Sequence, residues 1–264
     1  MKPNRPLFRI AFFCCFAVVL ASAKFACNRP PSPPAPASST TVDPQQEVNE
    51  ILERYTTAVG GQTAIDRVTS YRAKGRFTTS LFKLTGEYEV WAKQPNKTLT
   101  VIQFPRVGTL RKGFDGETRW VQTPSATVND ESSSGMAEVE KDADIYGVGR
   151  IKSLYETMRL EGKARLNGRD VNMIEGKPVK GPAEKLLFDA DTGLLLRWDM
   201  VRREPKRGNV FVKVTLDDYR EVDGVKVPFK VRFAFESFDL RLTIDELQHN
   251  IPLEDAMFKK PATR

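Results

Sequence analysis

The sequence predicts a mainly β (α+β) domain: a curled antiparallel sheet of about eleven strands that forms a half-open or closed barrel, with an N-terminal helix and inserted helices over its mouth. The first observation behind this prediction is that apolar and polar side chains alternate from Tyr71 onward, with the period of two that is typical of strands. The second is that Asp-Gly and Asn-Gly dipeptides, such as Asp115-Gly116 and Asn167-Gly168, separate several of these segments as tight turns do. The third is that no β-α-β order recurs, which argues against a parallel doubly wound sheet.

The curl of this sheet follows from its size. Twist accumulates from strand to strand, so an antiparallel sheet of about eleven strands bends and acquires a concave face. One helix before the sheet and one insertion within it are the elements available to cover that face.

The N-terminal helix is predicted to begin at Asp43, where an aspartate N-cap is followed by Pro44 at the first helical position. Gly60-Gly61 ends it, since glycine adopts the left-handed conformation of a C-terminal cap. Between these limits, the apolar residues that recur at intervals of three and four are Val48, Ile51, Leu52, Tyr55 and Val59. Within the sheet, the polar and turn-rich residues 126–135 precede two predicted short helices near 136–145 and 151–158, which form the insertion.

The N-terminus predicts export. Lys2, Arg5 and Arg9 form a basic region, residues 10–20 are an unbroken apolar stretch, and residues 21–23 supply the small side chains that a signal peptidase accepts. The apolar stretch is far shorter than the roughly 20 residues needed to span a bilayer, so a signal peptide is favoured over a permanent anchor. We therefore divide the chain into a signal peptide (1–26), a proline- and serine-rich tether (27–43) and a β domain (44–264).

Two ways of processing the signal stay open at Cys27. Ala26-Cys27 fits the last step of lipoprotein maturation, in which a cysteine thiol receives a diacylglycerol, although Lys24 and Phe25 depart from the usual residues before it. Residues 28–43 predict an extended, polyproline-like spacer of the kind that an anchored domain needs. Cys27 is accordingly the candidate for lipidation and for attachment to the outer membrane. The alternative is cleavage after Ala23, which leaves a periplasmic protein with a disordered, soluble tail.

The formal net charge of +7 does not indicate nucleic-acid binding. Four basic residues precede Cys27 with no acid among them, and the rest of the chain holds 37 basic against 34 acidic residues. These charges alternate with apolar residues along the strands, which is typical of solvated sheet and turn surfaces and argues against nucleic acid as a partner.

The sequence offers few groups for catalysis, and we predict neither an enzyme nor a cofactor. The other two cysteines fall within the predicted signal, so thiol nucleophiles and zinc-thiolate sites are excluded from the β domain. His249 is the one histidine, no G-x-S-x-G motif accompanies it, and we interpret it as a surface or strand-end residue. Asp142 and Asp144 are an isolated pair without the spacing of a calcium loop, so no metal site is predicted.

Apolar side chains on the strands are the most abundant feature of the sequence. Alternation places many of them on a single face of the predicted sheet. A sheet that simply packs on its own helices accounts for such a face, whereas a curled sheet of this size also leaves a groove for an acyl chain. Under the second interpretation, the candidate ligand-binding residues are Phe77, Leu84, Tyr88, Val90, Val212, Val214, Phe229, Val231 and Phe233.

Five segments resemble those of a known family. They are residues 55–77, the GFDGETRW run at 113–120, the FDADTGLLLR run at 188–197, the DYREVDGVKVPF run at 218–229 and the NIPLEDAMFKKP run at 250–261. In these motifs the sequence resembles the outer-membrane lipoprotein-sorting (LolA/LolB-like) envelope proteins of Gram-negative bacteria, over roughly residues 45–262. The resemblance implies a half-barrel with helices as a lid over an apolar cavity, and a role in carrying lipid or lipoprotein acyl chains. It implies no catalytic residue, because the shared motifs are turns and helix caps.

The leading hypothesis is therefore a non-enzymatic periplasmic protein that binds lipid or lipoprotein acyl chains and works at an envelope membrane surface. The alternative is a membrane-tethered interaction or sensor module that binds an envelope protein partner and no lipid. A hydrolase built on His249 or on a carboxylate pair is the third hypothesis, and no motif in the sequence supports it.

Overall fold

The computed structural model of the protein describes residues 43–80, 83–124, 126–130, 147–179, 181–204 and 208–261. The predicted signal peptide, the lipidation candidate Cys27, all of the tether except Asp43, and the predicted helix at 136–145 lie outside these residues. Within the described part of the chain, no helix is long and apolar enough to cross a membrane.

Two α-helices precede the sheet: α1 spans Pro44–Ala58 and α2 spans Gln62–Asp66. Further along the described residues, 3-10 helices span Gly147–Leu154 in the insertion and Asp255–Phe258 near the C-terminus. The thirteen strands that the described residues form are β1 (Ser70–Thr79), β2 (Leu84–Lys93), β3 (Lys97–Phe104), β4 (Gly108–Phe114), β5 (Arg119–Thr123), β6 (Ala126–Asp130), β7 (Thr157–Leu166), β8 (Arg169–Lys177), β9 (Glu184–Asp189), β10 (Leu195–Glu204), β11 (Gly208–Val222), β12 (Val225–Ala234) and β13 (Asp239–His249).

These strands belong to one antiparallel sheet, in the order β6-β5-β4-β3-β2-β1-β13-β12-β11-β10-β9-β8-β7. Strands β6 and β7 are its two edges, so over the described residues the sheet is a curled, open half-barrel. Hairpins between consecutive strands build each half, and the pairing of β1 with β13 joins the two halves. The predicted fold class is confirmed.

The segment predicted as an insertion differs from expectation in two details. Strand β6 has no predicted counterpart, because an edge strand needs backbone pairing with β5 rather than a buried apolar face. The helix expected at 151–158 is a 3-10 helix that begins and ends earlier, since β7 already begins at Thr157.

Asp43 is the N-cap of α1, as predicted, and its carboxylate accepts a hydrogen bond from the backbone N–H of Gln45 at 3.0 Å. The chain leaves the helix through Gly60, which has a φ of 118°. A Cβ at this position would come within 2.0 Å of the carbonyl oxygen of Gly224 in the β11–β12 turn, so only glycine permits this approach. Next to it, the N–H of Lys226 donates to the carbonyl oxygen of Val59 at 2.9 Å.

The apolar stripe of α1 packs onto one face of the sheet, and this face is concave. Val48, Tyr55 and Val59 lie in one core cluster with residues of every strand from β7 to β12. On a flat sheet those strands would span about 24 Å at about 4.8 Å per strand, which is twice the width of a helix. A curled sheet brings them within reach of α1, and we therefore define the concave face as the face that α1 covers.

The C-terminal segment covers the opposite, convex face beside strands β3 to β5. Phe258 is 0% exposed, and its carbonyl oxygen accepts a hydrogen bond from Nε1 of Trp120 at 2.7 Å. The Trp120 ring lies over Gly113, its partner in the register, where a Cβ would come within 2.2 Å of the ring. The burial of Phe258 and this hydrogen bond therefore fix the end of the chain to the sheet.

An ion pair holds the same segment. Lys93 and Lys97 approach the carboxylate of Asp255 at 2.7 and 2.6 Å. Their hydrogen bonds lower the pKa of the Asp255 carboxyl to about 2. The Ser70 hydroxyl donates to the carbonyl oxygen of Ile251 at 2.6 Å, so the segment is also fixed where it leaves β13.

Candidate functional site

The strand register brings the predicted ligand-binding residues to one face of the sheet. The first row of paired residues is Leu84, Thr79, Leu240, Phe233 and Val214. The second row is Gly86, Phe77, Leu242, Val231 and Leu216. The other predicted residues follow by alternation along their strands, and these are Tyr88, Val90, Val212 and Phe229. The face is the concave one, because Val214 and Leu216 lie in the core cluster of α1.

Helix α1 covers part of this face completely. Val212 and Val214 are 1% and 4% exposed, in the same cluster as Tyr55 and Trp198. Burial raises the pKa of the Tyr55 phenol, and the phenol is therefore neutral in this apolar setting. At these two valines the sheet packs on its own helix and leaves no space for a ligand.

A buried carboxylate lies in the same part of the core. Glu184 is 7% exposed, and it accepts hydrogen bonds from the Tyr155 hydroxyl at 2.6 Å and from Nε1 of Trp198 at 2.9 Å. Burial, together with the nearby Glu184 carboxylate, raises the pKa of the Tyr155 phenol, so this hydroxyl stays protonated and donates. The bonds connect the end of the insertion to β9 and β10. Sequence reasoning did not single out Glu184.

Beyond α1 the concave face remains apolar but is no longer fully buried. The half-buried residues there come from β2, β3, β4, β12 and β13. We name this set the concave apolar surface, and its members are Leu84, Val90, Ile102, Phe104, Leu110, Val231, Phe233, Leu240 and Leu242. Ile102 pairs with Tyr88 on one side and with Leu110 on the other, so the surface is continuous across the sheet.

Phe77 and Tyr88 form the floor of the concave apolar surface, at 3% and 6% exposure. The Phe77 ring occupies the space over Gly86, where a Cβ would come within 2.6 Å of it. It also meets the Phe104 ring edge-on, with centroids 5.2 Å apart. Burial raises the pKa of the Tyr88 phenol, so this floor carries no charge.

Phe229 is buried and contacts an arginine side chain of the same chain. It is 6% exposed, and the Arg220 guanidinium carbon lies 4.5 Å from its ring centroid, in the position of a cation–π contact. Asp218 holds that guanidinium through hydrogen bonds of 3.1 and 2.8 Å. The aromatic ring at 229 thus helps to fix the irregular end of β11.

Sequence reasoning named four members of the concave apolar surface, Leu84, Val90, Val231 and Phe233, and missed the other five. In β13 the sequence does indicate the concave residues, because Leu240 and Leu242 alternate with polar neighbours. In β3 the signal was weak, since residues 98–104 place apolar side chains on both faces.

Two hollows flank α1 on the surface of the described residues. Glu50, Arg54 and Thr192 contribute to the first, and Asn49 and Lys152 to the second. Largely polar side chains line both hollows, and none of the predicted ligand-binding residues lies in either. These hollows are clefts between α1 and neighbouring turns.

His249 ends β13, as predicted, but its side chain is buried and does not lie at the surface. Its Nδ1 lies 3.2 Å from the Asp223 carboxylate in the β11–β12 turn. Burial lowers the pKa of the imidazole, against the opposing effect of Asp223. The histidine thus packs where this turn meets β13. Across the described residues, no three His, Cys, Asp or Glu side chains are grouped to hold a metal ion.

Several solved structures share this architecture. A DUF1329 family protein from Desulfovibrio piger superposes with a TM-score of 0.57 at 18% identity, covering 83% of this chain and 98% of that protein. A Vibrio parahaemolyticus domain assigned to outer membrane lipoprotein sorting gives 0.55 at 14% identity, covering 79% and 97%. A LolA superfamily protein from Nitrosomonas europaea gives 0.55 at 13% identity, covering 80% and 97%. No protein-family profile and no curated protein matches the sequence.

At these identities the similarity is one of fold. The superpositions include nearly the full length of each solved protein, so they concern the whole half-barrel and not a shared hairpin. The domain of this chain has the LolA-like half-barrel fold.

Proposed function

We propose that this is a non-enzymatic envelope protein that binds or carries lipid or lipoprotein acyl chains on the concave apolar surface. The main support for the proposal is that this surface is continuous with the core cluster that α1 covers. Val231 and Phe233 pack against that core and yet remain half-buried, and Leu240 and Leu242 extend the same rows. An apolar face of this kind, bordered by a helix and left partly exposed, is typical of a ligand site.

The apolar character and the shape of the surface favour an acyl chain as the occupant. Each methylene that leaves water contributes about 0.8 kcal/mol, so about eight contacted methylenes offer about 6 kcal/mol before the costs of association. The surface is concave and lies beside α1, which suits a slim, flexible chain better than the broad face of a folded partner. No ion pair is needed for such a ligand, because its recognition rests on buried apolar area.

The proposal also covers export and attachment. Residues 1–26 act as the signal peptide, and lipidation of Cys27 holds the mature protein at the outer membrane. The sixteen residues between Cys27 and α1 are residues 28–43. As a polyproline helix they reach up to about 50 Å at about 3.1 Å per residue, so the domain stands off the membrane while remaining within reach of it. The LolA-like fold supports an envelope role of this kind.

Intact and native mass spectrometry of the full chain, expressed in a Gram-negative host and purified from membranes, tests the proposal. We expect a noncovalent acyl species to accompany the folded protein. The intact mass separately reports a diacylglycerol on Cys27 or cleavage after Ala23. Protein that carries no acyl species, and takes none up after delipidation, would contradict the proposal and favour a tethered interaction module.

A further inference from the structure

Two cations lie on the concave face beside the concave apolar surface. In β4, Leu110, Lys112 and Phe114 alternate on this face, and Lys112 pairs with Thr100 of β3. Arg119 of β5 pairs with Phe114 and so shares the face. Lys112 is exposed and Arg119 is half-buried.

The register places these two cations within reach of one anion. Lys112 lies opposite Val121, two residues along β5 from Arg119, which makes Lys112 and Arg119 diagonal neighbours. Diagonal neighbours on an antiparallel pair are about 7–8 Å apart, a distance that lysine and arginine side chains span easily. The hydroxyls of Thr98 and Thr100 on the adjacent strand supply further hydrogen-bond donors on the same face.

The carboxylates of strands β1 to β5 all lie on one face of the sheet. The carboxylates on these strands are Glu87 and Glu89 of β2, and alternation with Tyr88 places both on the convex face. Glu89 there bonds to Arg72. On the described strands β1 to β5, the concave face therefore presents two cations and no carboxylate.

We propose that the ligand is an anionic amphiphile, with a phosphate or carboxylate headgroup held by Lys112 and Arg119 and an acyl chain along Leu110, Ile102 and Phe104. This inference rests on the proposed function and adds to it the chemical class of the lipid. Both cations already interact with another group of the protein, and a headgroup must compete with that interaction. For this reason we expect a preference of about tenfold for an anionic lipid.

The test compares dioleoyl phosphatidylglycerol with dioleoylglycerol, which has the same chains and no phosphate, by native mass spectrometry of the delipidated protein. We expect phosphatidylglycerol to bind about tenfold more tightly, and the preference to shrink as salt screens the charges. Inorganic phosphate, which has no acyl chain, is used as a competitor to distinguish recognition of a lipid headgroup from binding of a free anion. We expect it to displace phosphatidylglycerol only weakly.

The decisive variant is the double substitution Lys112→Gln with Arg119→Gln, which removes both charges and leaves shorter, neutral, polar side chains. We expect it to bind the two lipids with equal affinity. Arg111→Gln, on the convex face of the same strand, is the matched control and should keep the preference. Equal binding of both lipids by the unaltered protein would overturn this inference and leave the proposed function standing. Failure to bind either lipid would overturn the proposed function and the inference together.

Discussion

Replacing Leu242 with glutamate is expected to lower the affinity of the protein for a fluorescent long-chain fatty acid by at least about tenfold, or about 1.4 kcal/mol. Leu242 lies between Phe77 of β1 and Val231 of β12 on the concave face, and it is half-buried. A carboxylate at this position must either lose its hydration against the acyl chain or displace the chain. Fluorescence titration of the delipidated protein measures the change.

Two matched variants make this result interpretable. Phe211→Glu introduces the same charge at a residue that is 74% exposed on the convex face, and it should leave the affinity unchanged. Leu242→Met retains the apolar volume and should bind within about threefold of the original protein. Equal affinities for Leu242→Glu and Phe211→Glu would exclude the concave apolar surface as the site.

Phe258→Ala is expected to lower the free energy of unfolding by about 3–5 kcal/mol. The ring is fully buried, and its loss leaves a cavity beside Trp120, whose indole N–H donates to the Phe258 backbone. Urea unfolding followed by circular dichroism measures the effect. The neighbouring Lys259 is exposed, so Lys259→Ala should change stability by less than about 0.5 kcal/mol. A loss below about 1 kcal/mol for Phe258→Ala would show that the C-terminal segment is not a structural part of the sheet.

The fold could be predicted largely because local signals agree with it. Strands β1 and β12 alternate apolar and polar residues, and α1 has an aspartate cap at one end and paired glycines at the other. The insertion is different. The sequence of β6 contains few apolar residues, and pairing with β5 rather than burial makes it a strand.

The candidate site could be predicted only in part, because it depends on where α1 crosses the sheet. Val212 and Phe233 both look like inward-facing strand residues in the sequence. In the structure Val212 lies beneath the helix at 1% exposure, whereas Phe233 lies at the margin of the α1 core and is half-buried. Periodicity assigns a residue to a face, but it does not say which part of that face a helix covers. The same limit applies to Lys112 and Arg119, whose convergence follows from the register of β4 and β5.

The measurement that tests the central claim most directly is the location of a bound acyl chain. A fatty acid with a photoreactive diazirine near its methyl end, crosslinked to the delipidated protein and mapped by peptide mass spectrometry, reports the residues that it contacts. We predict labels on concave residues of β2, β3, β12 and β13, with Leu84, Ile102, Phe233 and Leu242 among them. Labels confined to the hollows beside α1, or to convex residues such as Phe211, would contradict the proposal that the concave apolar surface binds lipid.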